Sequence, residues 1–310
     1  MLNFRYHVVS LVAVFLALGL GILVGYGALD RPTVNFLQNR IETVQANAEQ
    51  RRQENEQLQT QVERLEQATD ATAPFAITDR LTDVSLLVVA VRGVDGETVN
   101  SLIELARQGG ALAPGILWLE ERWALAGEGD TDALAAAAGV PTGTKAEVRT
   151  AAFEAFASRL AFGNTTDDDE LRALVDAGFV AFETVGEATV SVADLGGPVT
   201  RLMLVVGTDD SLRTRQVLAP IAGTAVASGL LVVSAELFAE SDDGLARGAL
   251  VSNIRNDETL AARVSTVDDL DQPSGNVVAL LALVDLARNV VGHYGFGEGA
   301  TAAAPEWWQP

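Results

Sequence analysis

The chain has 310 residues, 48% of them hydrophobic, which is enough to bury a sizeable core and excludes disorder throughout. Its 42 Asp and Glu against 21 Lys and Arg give a net charge of -21, which repels a phosphate backbone and excludes a nucleic-acid binder. There is no Cys, and only two His (His7, His293) and two Met (Met1, Met203), which removes disulfides, thiolate metal sites and multi-histidine sites.

Val8 to Leu29 carries no charge, and 22 helical residues rise about 33 Å, enough to cross a hydrocarbon layer of about 30 Å. This predicts a transmembrane signal anchor over residues 1–30. A cleaved signal peptide has a shorter apolar region, about 7–15 residues, and a small-residue site that Gly25-Tyr26-Gly27 imitates only weakly. Arg5 precedes the span while Asp30 and Arg31 follow it, so the short N-terminal end is expected in the cytoplasm and the rest outside. Gly21 and Gly25 form a G-x-x-x-G pair that lets two such helices approach closely.

Residues 31–72 read as a coiled coil. Pro32 separates them from the span, and an apolar seam with spacings of three and four follows. Val34, Ile41, Ala48, Asn55, Val62 and Thr69 fall at position a; Leu37, Val44, Arg51, Leu58 and Leu65 fall at position d. Branched residues and one Asn at a, with Leu at d, favour a parallel homodimer. The other reading of the seam is a single helix folding back on the globular domain.

Residues 73–295 read as an extracytoplasmic α/β domain with a mostly parallel sheet. Short apolar runs at Val84–Val91, Ile116–Leu119, Phe179–Phe182, Leu202–Val206 and Leu230–Ser234 predict strands. Helices are expected near 95–108, 131–138, 145–162, 167–177, 212–227 and 275–291. The stretches 86–121 and 201–236 each read strand, Gly and Asp turn, helix, Gly loop, strand, the size of one βαβ unit. They suggest two related halves around Gly196-Gly197-Pro198, with a shared sheet left open. Residues 296–310 are Gly- and Ala-rich and are expected to be a flexible tail unless docked; Trp307 and Trp308 suit a membrane interface, a partner, or the domain's own groove.

Neither G-x-G-x-x-G nor G-x-x-x-x-G-K-[ST] occurs, and the single Lys, Lys145, is in no such motif. A serine triad needs a His outside the membrane, and His293 alone qualifies, at a predicted helix end. No enzyme, catalytic residue or resident cofactor is expected. Asp95, Asp209, Asp210, Glu236, Asp268 and Asp269 each follow a predicted strand, and such positions gather at the carboxyl edge of a parallel sheet, where ligands bind. His293, Asp209, Asp210, Asp268 and Asp269 are therefore the candidate metal ligands; the other reading is that the acids cap the following helices. The acids at 167–170 look like the first turn of a helix.

The opening Leu2-Asn3-Phe4-Arg5-Tyr6-His7-Val8-Val9-Ser10-Leu11, the Gly-rich span and coil after it, and the closing Asn289-Val290-Val291-Gly292-His293-Tyr294-Gly295 resemble the actinobacterial copper transport outer membrane protein family, MctB-like, over nearly the whole chain. The resemblance implies copper efflux or homeostasis across the cell envelope, an outer-membrane location and a pore. It also implies kinship with coiled-coil envelope proteins that work with a membrane partner and a peptidoglycan hydrolase in cell separation. Copper is implied by the resemblance alone, which carries no ligand onto a numbered residue. The residues themselves lack the alternating strands and aromatic girdles of a transmembrane barrel. Two readings follow: a copper-transport protein, or a coiled-coil dimeric scaffold presenting acidic heads to an envelope partner.

Overall fold

The computed structural model describes residues 4–28, 32–165, 169–186, 189–207, 212, 214–239 and 246–308. The chain divides into two units, Met1–Leu65 and Glu66–Pro310.

The first unit is helical. Helix α1, Phe4–Ala28, contains a stretch, Phe4–Gly25, long and apolar enough to cross a membrane. Gly21 and Gly25 lie on it with open space where a Cβ would project. Pro32 opens α2, a 46-residue helix over Pro32–Ile77 whose residues up to Leu65 belong to this unit. Proline suits that first position because its missing N–H has no partner there anyway. The seam residues Ile41, Val44, Leu58, Val62 and Leu65 are 50–68% exposed, so an apolar row faces outward. Asn55 lies on the same exposed helix, and Leu37 lies on it too, although its side chain is outside the described set. Around the seam the surface is held by i,i+4 pairs such as Arg52–Glu56 at 3.0 Å.

The second unit is built on one sheet of seven strands in the order β3-β2-β1-β4-β5-β6-β7. The strands are β1 Ser85–Val91, β2 Gly115–Leu119, β3 Val180–Thr184, β4 Thr200–Gly207, β5 Leu231–Leu237, β6 Val264–Val267 and β7 His293–Tyr294. All neighbours are parallel except β2 and β3. The two similar stretches are β1-α3-β2 and β4-α7-β5, where α3 is Gly96–Gln108 and α7 is Thr214–Ala227; in sequence, α4 Asp130–Ala137, α5 Lys145–Phe162 and α6 Glu170–Asp176 lie between β2 and β3, and α8 Ser252–Arg255 and α9 Glu258–Ala261 between β5 and β6. Because β1 pairs with β4, they wind outward in opposite directions within one sheet, which answers the question left open by sequence.

Alternation along the strands splits the core into two layers. Leu87, Val89 and Val91 face α7 and α5, Lys145–Phe162; Leu86, Val88 and Ala90 face α3 and α10, Pro273–Leu286. The last turns of α2 contribute Ala73 and Ile77 to the second layer. Residues Val277–Leu286 of α10 are buried all round, as a helix apolar on every face requires. Helix α5 begins where sequence placed it because Thr144 and Glu147 form a reciprocal capping box.

Two expectations need correction. The helix expected over 275–291 stops at Leu286, since Asn289 adopts a left-handed φ of 61° that a helix cannot continue through. Strands β6 and β7 were absent from the five apolar runs because they are only four and two residues long and partly polar. The tail, expected flexible unless docked, makes contacts with the α/β unit at Ala302 and Trp307. Gly295 N–H donates to the Ala302 carbonyl at 3.0 Å, and Trp307 Nε1 donates to Asp285 Oδ1 at 2.7 Å. The guanidiniums of Arg80 and Arg288 lie 4.7 and 5.5 Å from the Trp307 ring centroid.

Candidate functional site

At the carboxyl edge of β5, β6 and β7 the sheet gathers an ionic cluster from residues far apart in sequence. Glu236, near the end of β5, is fully buried. Its carboxylate accepts from the backbone N–H groups of Gly248 at 2.8 Å, Leu250 at 3.0 Å and Val251 at 3.3 Å. Burial pushes its carboxyl above the usual range, opposed by those three hydrogen bonds.

Asp268, directly after β6, is also fully buried. Its Oδ1 accepts from Phe296 N–H at 2.8 Å and Gly297 N–H at 3.1 Å, and its Oδ2 accepts from Arg255 Nη1 at 2.7 Å. Arg255 lies at the end of α8, Ser252–Arg255, and also donates through Nε to Thr266 Oγ1 at 2.8 Å and through Nη2 to the Tyr294 carbonyl at 2.8 Å. Gly295 has a φ of 120°, and a Cβ there would collide with the Asp268 carboxylate. The glycine in the closing motif is thus required by close approach to a buried charge.

His293 belongs to the same network. Thr266 Oγ1 lies 3.0 Å from His293 Nδ1 and also accepts from Arg255 Nε at 2.8 Å. Burial, then the Arg255 charge, push the imidazole below its ordinary value, against a contact with the Ala261 backbone that raises it. Both downward shifts favour the neutral ring.

Asp269 is different. It is 1% exposed, and its Oδ1 has no hydrogen-bond partner among the described residues. Burial, followed by the charges of Asp268 and Asp271, pushes its carboxyl up to about 6. Asp271 beside it receives a two-point contact from Arg247, 2.5 Å from Nη1 and 2.8 Å from Nη2. Burial raises the Asp271 carboxyl, but the Arg247 and Gln272 hydrogen bonds outweigh it and hold it low.

The structure therefore brings His293 and Asp268 into one network through Arg255 and Thr266, with Asp269 next to it in the chain. Asp209 and Asp210 lie outside the described residues. Asp95 is a helix cap, accepting from Glu97 and Thr98 N–H at the start of α3. Among the described residues no group of three or more His, Asp or Glu side chains is arranged to hold a metal ion. Sequence reasoning missed Arg247 and Arg255 because it searched the acids alone; the available signal was that acids buried at strand ends need cationic partners.

A family model described as "Copper transport outer membrane protein, MctB" matches residues 1–305. The Copper transporter MctB of Mycobacterium bovis (strain ATCC BAA-935 / AF2122/97) is 26% identical over 333 residues, covering 97% of this chain and 98% of the relative. The protein of the same name from Mycobacterium tuberculosis (strain ATCC 25618 / H37Rv) matches to the same extent. That of Mycobacterium leprae (strain TN) is 45% identical over 62 residues, 19% of this chain and 20% of the relative.

Proposed function

The chain belongs to the MctB family of copper transport outer membrane proteins, and from that premise we propose that it is a non-catalytic, single-pass envelope protein serving copper efflux or homeostasis. The observation that carries this is the extent of the family match, residues 1–305, which takes in the apolar helix, α2 and the α/β unit together. In this reading α1 is an uncleaved anchor with its short N-terminal end in the cytoplasm, and α2 and the acidic α/β unit stand outside. The exposed row Ile41, Val44, Leu58, Val62 and Leu65 supports pairing of α2 with a second copy in parallel. Copper is cargo here, not a resident cofactor.

Two observations favour a second reading, in which the protein is a dimeric scaffold or regulator of an envelope partner in cell separation or peptidoglycan hydrolase control. The described strands form one sheet covered on both faces by helices, not a barrel enclosing a channel. The carboxyl-edge groups His293, Asp268 and Glu236 are also satisfied by protein partners. Both readings predict a membrane-anchored pair, and they differ in what its loss does to copper. Total cell copper in a strain lacking the gene tests them: a rise reversed by the intact gene supports the copper role, and unchanged copper supports the scaffold.

A further inference from the structure

At the opposite, amino-terminal edge of the sheet lies a cavity of about 520 Å³. This is within the range of about 300–1,000 Å³ typical of small-ligand sites. Its walls are mainly apolar: Leu86, Leu87, Leu112, Ala113, Pro114 and Leu195. Leu112 is 67% exposed although large and apolar, and Val199, next to the lining residue Thr200, is 71% exposed.

The polar lining is sparse. Ser85 and Thr200 are register partners on β1 and β4, and the Thr200 hydroxyl is buried with no hydrogen-bond partner among the described residues. Such a group is normally satisfied, so one left alone in the wall of a cavity asks for an explanation. Asp194 is committed to its own turn, accepting from Ser191 N–H at 3.3 Å. Among the described lining residues the cation is Arg107. Its Nε donates to the Ala113 carbonyl at 2.8 Å, Nη1 to Glu104 at 3.2 Å and Nη2 to the Pro114 carbonyl at 3.4 Å. Three of a guanidinium's five N–H groups are thereby used, and the Glu104 contact is a surface pair that yields at little cost.

An apolar cavity with one anchored guanidinium suits a ligand with an apolar body and a single oxygen-acceptor head. The same chain carries a helix long and apolar enough to cross a membrane, and a membrane is a source of lipid acyl groups. We propose that this cavity holds one acyl chain of about a dozen carbons, with the carboxylate or ester oxygen of its head at Arg107. The site is independent of the copper reading.

The test uses the full chain in cell membranes with a diazirine-bearing dodecanoic acid as photoprobe, followed by digestion and mass mapping. Labelling is expected on 85–87, 111–114 and 194–200, and excess dodecanoic acid removes it. Competition by methyl dodecanoate as well assigns the head to an ester-type oxygen; competition by the free acid alone assigns it to a carboxylate. Leu112→Asp, which charges the wall at an exposed position, should cut this labelling at least tenfold, while Val290→Asp, exposed and outside the cavity, leaves it unchanged. Labelling confined to the membrane helix, labelling that excess acid does not remove, or equal competition by dodecane would overturn the proposal.

Discussion

Arg255 and Asp268 form an ion pair, 2.7 Å between Nη1 and Oδ2, in which the two side chains are 2% and 0% exposed. Removing one partner strands the other as a buried charge, which costs about 3–5 kcal/mol. Arg255→Met should therefore lower the unfolding midpoint of the α/β unit strongly. Combining it with Asp268→Asn should recover part of the loss. Chemical denaturation of the full chain in detergent, followed by near-ultraviolet circular dichroism, checks this; equal stability of wild type and Arg255→Met contradicts it.

Asp269 gives a pH dependence with a definite sign. Its folded carboxyl is raised to about 6 from 3.8, so the fold binds a proton more tightly than the unfolded chain does. Its effect on stability is therefore unfavourable above its folded value and relieved as pH falls from about 6 towards 4. Asp269→Asn removes this term and should flatten the loss of stability between pH 4 and 7, by up to about 3 kcal/mol. Identical pH profiles for the two proteins would count against the assignment.

Trp307 ties the tail to α10 through Asp285, whose other oxygen accepts from the Tyr294 hydroxyl at 3.3 Å. Trp307→Ala leaves a buried carboxylate oxygen short of its donor, a cost of about 1–3 kcal/mol. The expected outcome is faster proteolysis after Gly295 with the core fragment preserved. An unchanged cleavage pattern shows that the tail is held by other contacts.

The native chain has no Cys, so a single introduced thiol reports pairing without background. With Leu58 at a d position of a parallel seam, Leu58→Cys should give an oxidised dimer band in intact membranes. Cys in place of the exposed Glu56, off the seam, should give little. Equal bands from both positions contradict the parallel register.

Much of the α/β layout was legible because its strands are continuous branched runs and its helices carry local start signals. Val84–Val91 became β1 within one residue, and the Thr144–Glu147 box set the start of α5. What escaped reading depends on long-range partners. Nothing local marks His293 and Tyr294 as a strand; they become one by pairing with Thr266 and Val267. Asp268 was legible as an acid at a strand end, but its role is set by Arg255 and by Phe296 and Gly297, residues no spacing rule connects. The docked tail escaped for the same reason, since a Gly- and Ala-rich stretch gives no sign that Asp285 awaits the Trp307 indole.

In the proposed function, copper handling is exercised by an anchored pair. Leu58→Pro breaks α2 in its interior, at a cost of about 3 kcal/mol, far from the described carboxyl-edge cluster in sequence. Total cell copper in the deletion strain carrying this variant is therefore the most direct measurement. Copper should stay as high as in the uncomplemented deletion strain, while the intact gene brings it down. Full restoration by Leu58→Pro, or no copper change on deletion, would contradict a copper role exercised by a pair.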